Sequence, residues 1–517
     1  MKLKAKPISF EAGGKGIVIL NRADVSEMGI RALDRVVLKK NNKKMIVIVD
    51  VADKFANRGE MITNEEINKI FKIKKGSLID VVPACPPESV GFIKQKMAGM
   101  RLDYKKLRAV VKDVVEKHLS DIELTAFVSS LEIHGMIMSE NEGLVKAMVE
   151  TGKNINIPKK LVVDKHSCGG IPGDKTSLLA VPIIAAAGLT IPKTSSRAIT
   201  SPAGTGDRME ILAPVELTAG EIIKVVKKTN GCLVWGGALD LAPADDAFIK
   251  IEHPLSIDPL MLPSIISKKK AVNAKYVVID MPTGRGTKFK TIGTAREAAE
   301  NFIELGRRVG INIVCTITYG EQPLGYAIGP ALEAQEALLT LGGDGPGDLV
   351  QKVINVTGTL FDMVGKNKTK GKEHAFQILK SGKADKKFRE IIEAQGGNPK
   401  IRPSDIGIGK KSIKVVSKID GRVLWIKNAE IAAIGREAGA PKDKGAGLKL
   451  SVKINSPVKK GDTLFTIYSN RTDNLNRAFK LAKDYEPVIV GKKLEERILL
   501  DMVPSKIPHR RIFMLER

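Results

Sequence analysis

Residues 1–84 alternate short β-branched runs with lysine-rich turns. GIVIL, RVVLKK, KMIVIVDVA and SLIDVV each carry a period of two, the repeat of a strand with one buried face. The pattern predicts a small β-rich domain. The Pro86-Pro87 pair in VPACPPESV interrupts it and marks a linker. Over 88–152 the period lengthens. Ile122, Phe127, Val128 and Leu131 fall close to helical spacing, and Gly152 is a natural stop. Ser120 with Glu123 reads as a capping box, and so does Ser139 with Glu142. From 160 to about 400 strands, glycine loops and helices alternate. KLVVDKHS, KYVVIDMPTG and NIVCTITYG are buried strands entering loops, and LLAVPIIAAAGL is an apolar helix. Such alternation predicts an α/β domain with its site at the carboxyl ends of the strands. From about 412 the chain turns β-rich again.

The C-terminal turn SPVKKGD and the strand after it resemble barrel-sandwich modules that carry biotin or lipoyl groups. The modifiable lysine flanked by methionines is missing, so the module reads as structural. With 517 residues, the chain has room for several domains at ~150 residues each. No apolar run reaches the ~18 residues of a membrane helix, and the N-terminus lacks a signal-peptide core. Cys85, Cys168, Cys232 and Cys315 form no CxxC pair, so no cysteine metal site or disulfide framework is expected, and a reducing cytoplasm fits. The net charge of +26 draws anions of any kind. Aromatics are 4%, thin material for stacking single-stranded bases, so no specific nucleic-acid partner is expected.

The chemistry gathers in a few segments. In DKHSCGGIPGDKTS, Gly169, Gly170 and Gly173 let backbone N–H groups approach an anion, and Lys165, Ser167, Lys175, Thr176 and Ser177 add donors. An apolar helix follows, with its positive end facing the same place. The spacing is not that of a Walker loop, which removes the case for ATP hydrolysis. In SSRAITSPAGTGD, Ser196, Arg197, Thr200, Ser201 and Thr205 suit a phosphate monoester or sugar hydroxyls. Asp258 precedes Pro259 in a turn, and its spacing fits either an Asx turn or a catalytic acid. Ser264 and Lys268 share a helix face. Arg285, Lys288 and Lys290 follow a strand and suit a second phosphate or a solvated loop. His166 suits either a packing or a functional role, and Cys168 reads as loop filler.

Together KHSCGG, GDK, SSRAITSPAGTGD, LAPAD (241–245) and PSIISKK (263–269) resemble the thymidine phosphorylase family in the family's own order, from near residue 85 to about 500. The proline in GGIPGDK, the SIDP turn and the extra N-terminal domain are similar to its archaeal, nucleotide-cleaving branch. The resemblance implies an N-terminal β domain (1–84) and a helical domain (85–160 and 240–270). It further implies a central mixed α/β domain (161–239 and 271–405) and a C-terminal α+β domain (406–517). It implies phosphorolysis of AMP, and of CMP and UMP, by inorganic phosphate, without a cofactor or metal, in a homodimer or larger assembly. Asp258 would then protonate the departing base. Lys165, Ser167, Ser177, Ser196 and Thr205 would hold the attacking phosphate. Gly170, the segment Ser196, Arg197, Ala198, Ile199, Thr200 and Ser201, then Thr205, Ser264 and Lys288 would contact the nucleotide. Lys288 would take the 5′-phosphate and Lys268 would reach the base. The nucleoside branch carries a base-contacting arginine where this chain has Glu252 and His253, which weighs against the alternative, a pyrimidine nucleoside phosphorylase.

Overall fold

Leu3, Val18, Leu20, Val36, Leu38, Val47, Val49, Met61 and Val81 alternate with exposed or half-buried neighbours and meet in one core. The strands that carry them close into a barrel in a computed structural model of the chain, which describes residues 1–158, 161–198, 201–239, 241–365 and 370–492. Around the barrel run Lys2–Pro7, Glu60–Thr63, Ile17–Asn21, Lys43–Ala52, Arg35–Lys40 and Leu78–Pro83. Closure leaves no strand edge open. The barrel is fastened to the next domain by charge: Arg35 pairs with Glu123, and Lys15 lies 2.5 Å from Asp121.

Helices Glu88–Met97, Tyr104–Val115, Asp121–His134 and Met138–Thr151 bundle with the distant helix Pro243–Leu255 around Leu107, Val110, Phe127, Leu144, Met148 and Phe248. Ser120 and Glu123 form the capping box read from the sequence. The box expected at Ser139 and Glu142 lies elsewhere. The helix begins at Met138, and the Glu140 carboxylate accepts from the Ile137 N–H at 3.0 Å. Glu140 also takes a buried ion pair from Lys96 at 2.8 Å. That need for a cation and backbone donors decides the helix start, and Glu142 is left to pair with Lys146 and Arg308.

The central domain is built on parallel strands. Asn312–Tyr319, Tyr276–Thr283 and Val163–Ser167 form one ladder. A bridge from Val162 to Thr190 joins it to the parallel pair Ile191–Ser195 and Gly231–Trp235. Helix Thr176–Ala186 behind the sheet is apolar all round and buried from Thr176 to Ala185. The stretch 240–270, expected in the helical domain, carries two helices. Helix Pro243–Leu255 buries Phe248 in the bundle, and helix Met261–Ala271 lies along the bundle helix Met138–Thr151 and buries Ile265 and Ile266 in the core shared with the sheet domain.

In the C-terminal region, Lys411–Val416, Thr463–Ser469 and Gly447–Leu450 form a sheet that the short strand Ala327–Ile328, contributed by the central domain, extends by pairing with Gly447–Leu450. Helices Asn428–Glu437 and Thr472–Tyr485 cover this part. Among the described residues, no helix is long and apolar enough to cross a membrane.

Phe127 is fully buried between helices of the bundle and tilts against Phe248 at 5.9 Å. Phe127→Ala removes that contact and leaves a cavity. The expected cost is ~3–5 kcal/mol in the unfolding transition of the bundle, read by denaturant titration.

Candidate active site

The strand Val163–Ser167 runs into the glycine loop. Gly169, Gly170 and Gly173 have φ of 78°, 96° and 77°, a region that side chains rarely adopt. At Gly170 space also forbids a side chain, since a Cβ would stand 2.8 Å from the Lys288 nitrogen. The glycine therefore lets the 169–173 loop lie directly against the 284–290 loop.

Beneath the loop is a buried charge cluster. Ser167 donates to Asp174 at 2.7 Å and lies 3.2 Å from Asp280. Thr318 donates to the other oxygen of Asp280 at 2.6 Å. Lys352 reaches Asp280 at 2.9 Å and Asp174 at 3.8 Å. Burial works against the Lys352 charge, but Asp174 and Asp280 outweigh it and raise its pKa. Burial likewise opposes ionisation of Asp174, yet Lys352 and Lys165 hold its carboxyl well below the usual range. Lys165 is buried, and that burial lowers its pKa despite the two aspartates. An anion arriving beside it would stabilise its charged form. His166 is kept well below its ordinary value by burial, then by Lys269 and Lys193, so its imidazole is neutral. Burial pushes the Cys168 thiol up to about 12, which fits its reading as filler.

Of the donors expected here, Ser177 stands in the first turn of helix Thr176–Ala186. The Ser167 hydroxyl is turned toward the carboxylates, because two buried acceptors compete for it. Thr176 is bound to Asp174 at 2.5 Å and Lys175 to Glu336 at 2.6 Å, so both serve the scaffold.

The second loop follows strand Ile191–Ser195. Asp207 accepts from the N–H groups of Ala198 and Gly204 at 2.6 and 2.9 Å and fixes its curve. Arg197 was expected against the nucleotide. Its guanidinium is instead forked onto Glu210 at 2.8 and 2.6 Å, bonded to Glu216 at 2.9 Å, and stacked 4.8 Å from the Trp235 ring. Asp207, Glu210 and Glu216 all lie within reach of that guanidinium. Ser201 donates to the Ala203 carbonyl at 2.8 Å and shapes the turn. Among the described residues, the hydroxyls of Ser196 and Thr205 have no protein partner. Ile199 and Thr200 lie outside the described residues.

The third part is the turn between helices Pro243–Leu255 and Met261–Ala271. Asp258 projects from it and forms an ion pair with Lys288, which comes from the loop after strand Tyr276–Thr283. Ser264 and Lys268 share a helix face, as their spacing predicts, at 3.4 Å. Lys268 is also 2.5 Å from the buried Asp245 of the LAPAD stretch. That partner engages the ammonium expected at the base. Arg285 is equally committed, bonded to Glu321 at 2.8 Å and stacked 4.6 Å from Trp425. Glu252, 6% exposed, accepts from the Leu260 N–H at 3.2 Å. Burial pushes its carboxyl up to about 7, and the Asp258 charge adds to the effect.

Sequence reasoning missed Asp174, Asp280 and Lys352. Asp280 ends the VVID strand and Asp174 lies inside GDKTS, so both had a positional signal. Lys352 lies in helix Gly347–Val364, with nothing in its neighbourhood to distinguish it from a surface lysine.

This geometry has relatives. Residues 90–152 match the helical bundle domain of the glycosyl transferase family, and 159–385 match its a/b domain. Residues 423–487 match the pyrimidine nucleoside phosphorylase C-terminal domain. An AMP phosphorylase from Thermofilum pendens is 47% identical over 517 residues, covering 100% of both chains. One from Pyrococcus furiosus is 47% identical, covering 96% of this chain and 99% of its own. The chain belongs to the AMP phosphorylase family. The fold reaches further: anthranilate phosphoribosyltransferase from Thermus thermophilus superposes with a TM-score of 0.51 at 17% identity, covering 59% of this chain and 98% of its own.

Glu252 gives a test of the site's electrostatics. Its carboxyl ionises near 4.5 ordinarily and about 7 in the fold. The native state therefore holds a proton that the unfolded chain has released, and stability falls as pH rises from the first value to the second. Glu252→Gln removes this loss. The stability gap between variant and native protein should shift in the variant's favour from about pH 5 to about pH 8 in paired denaturant titrations.

Proposed function

We propose that this chain cleaves AMP by phosphorolysis, yielding adenine and ribose 1,5-bisphosphate, and treats CMP and UMP alike. The observation that carries the reading is the meeting of Asp258 and Lys288 beside the glycine loop. The substrate brings one anion at its 5′ end and the attacking phosphate is another, so a cation outside the glycine loop is required. Lys288 supplies it. Lys165, Ser177, Ser196 and Thr205 receive the attacking phosphate, with Ser167 turning from its carboxylates to join them. The segment 196–201, Gly170 and Ser264 border the nucleotide.

As the C1′–N bond lengthens, positive charge grows on the ribose and negative charge on the base. Phosphate held against C1′ offsets the first by position and charge. Asp258 offsets the second by giving a proton to a ring nitrogen, which contributes ~10²–10⁴ in rate. The bonds balance with phosphate and nucleotide alone, so no cofactor enters. A closed cleft would exclude water, the competing nucleophile. Ile122 and Ile133, 71% and 75% exposed on helix Asp121–His134, support a homodimer through the bundle. A cytoplasmic nucleotide-salvage role fits these substrates.

Purified protein incubated with phosphate and AMP, adenosine, thymidine, CMP or UMP tests the reading by product analysis. Adenine and a doubly phosphorylated pentose should form from AMP only when phosphate is present. Asp258→Asn should lower kcat ~10²–10⁴-fold. Cleavage of nucleosides alone would move the chain to nucleoside chemistry.

A further inference from the structure

The groups proposed for the two ends of the nucleotide are bonded to each other. Among the described residues, the Asp258 carboxylate has one hydrogen-bonding partner, the ammonium of Lys288. Neither is a buried structural ion: the side chains are 41% and 37% exposed. They also come from different elements. Asp258 lies between two helices, and Lys288 extends from a loop fixed at both sides. Its backbone nitrogen faces Gly170, and the preceding Thr287 hydroxyl bonds the carbonyls of Gly284 and Phe289 at 2.7 Å each. Only the flexible stem of Lys288 is free to choose a partner.

A carboxylate in an ion pair accepts a hydrogen bond, whereas a general acid must donate one. We infer that the Lys288–Asp258 pair is a latch that the substrate's 5′-phosphate opens. The inference rests on the nucleotide reading above. A phosphate monoester carries close to two negative charges at neutral pH and offers three acceptor oxygens, against one charge and two oxygens on Asp258. It therefore draws the ammonium away. Asp258 then stands without its cation, in the turn that the buried Glu252 of the preceding helix holds through the Leu260 N–H at 3.2 Å. Two adjacent carboxyls favour taking up a proton from solvent. During cleavage that proton passes to the base as the C1′–N electron pair leaves with it, and a phosphate oxygen forms the new bond to C1′. When the sugar product leaves, Lys288 returns to the Asp258 carboxylate.

The latch makes the 5′-phosphate a condition of chemistry as well as of binding. A nucleoside that enters the site leaves the pair closed and meets no acid. This selection acts on kcat, where a phosphate clamp alone would act on KM.

Four proteins distinguish the alternatives: native, Lys288→Gln, Lys288→Arg, and Lys288→Gln with Asp258→Asn. Each is assayed on AMP and on adenosine with phosphate, and thermal melting checks folding. Lys288→Gln should lose AMP turnover but gain adenosine turnover by ~10-fold or more, a part of what a freed acid contributes. The gain should vanish in the double variant. Lys288→Arg keeps a cation on Asp258, so its adenosine turnover should stay well below that of Lys288→Gln. Adenosine turnover unchanged or lowered in folded Lys288→Gln would overturn the latch. In that case native cleavage of AMP would still stand. Native protein that cleaves adenosine but not AMP would instead overturn the nucleotide reading itself.

Discussion

Asp280 holds the site together. Its carboxylate, at the end of the central strand Tyr276–Thr283, gathers Ser167 from one neighbouring strand, Thr318 from the other, and Lys352 from a helix behind the sheet. A buried carboxylate left unpaired would cost several kcal/mol. The glycine loop, the third strand and the rear helix are thus obliged to keep their positions. Excess positive charge can then be placed around an anion site without scattering the fold, because buried aspartates lie behind it. Asp164 repeats the device one layer deeper, with Lys269 at 2.6 Å and Lys193 at 3.7 Å.

The cations sort into those with nearby carboxylates and those without. Arg197, Arg285 and Lys268 look available in a list of basic residues. Each is engaged, by Glu210, Glu321 and Asp245 respectively. Among the described residues Lys165 has no comparable close partner, and burial lowers its pKa. A loop sequence gives the type and order of its donors. It does not say which carboxylates from distant segments will reach them, and here those carboxylates come from 13 to 36 residues away.

That separation explains how much was legible. The barrel strands, the Ser120 cap, the strand–glycine loop–helix unit and the position of Asp258 in a turn all follow from local patterning, and the structure has them. The Ser139 box failed because a tertiary need, the burial of Glu140 with Lys96, outweighed a local signal. The resemblance placed helix Met261–Ala271 with the bundle, and it does lie along the bundle helix Met138–Thr151, while Ile265 and Ile266 reach the core it shares with the sheet domain. Lys352 was invisible because nothing near it in sequence marks a buried cation.

The path of that helix has a mechanical meaning. Its C-terminal half is pinned to strand Val163–Ser167 by Lys269 and Asp164, and the helix before it, Pro243–Leu255, is packed into the bundle. Between them run residues 256–260, opening with Ser256 at a φ of 54°. This short stretch is the covalent link between the two helices. Asp258 sits in that link, so a force applied on the bundle's outer face through helix Pro243–Leu255 acts directly on the position of Asp258.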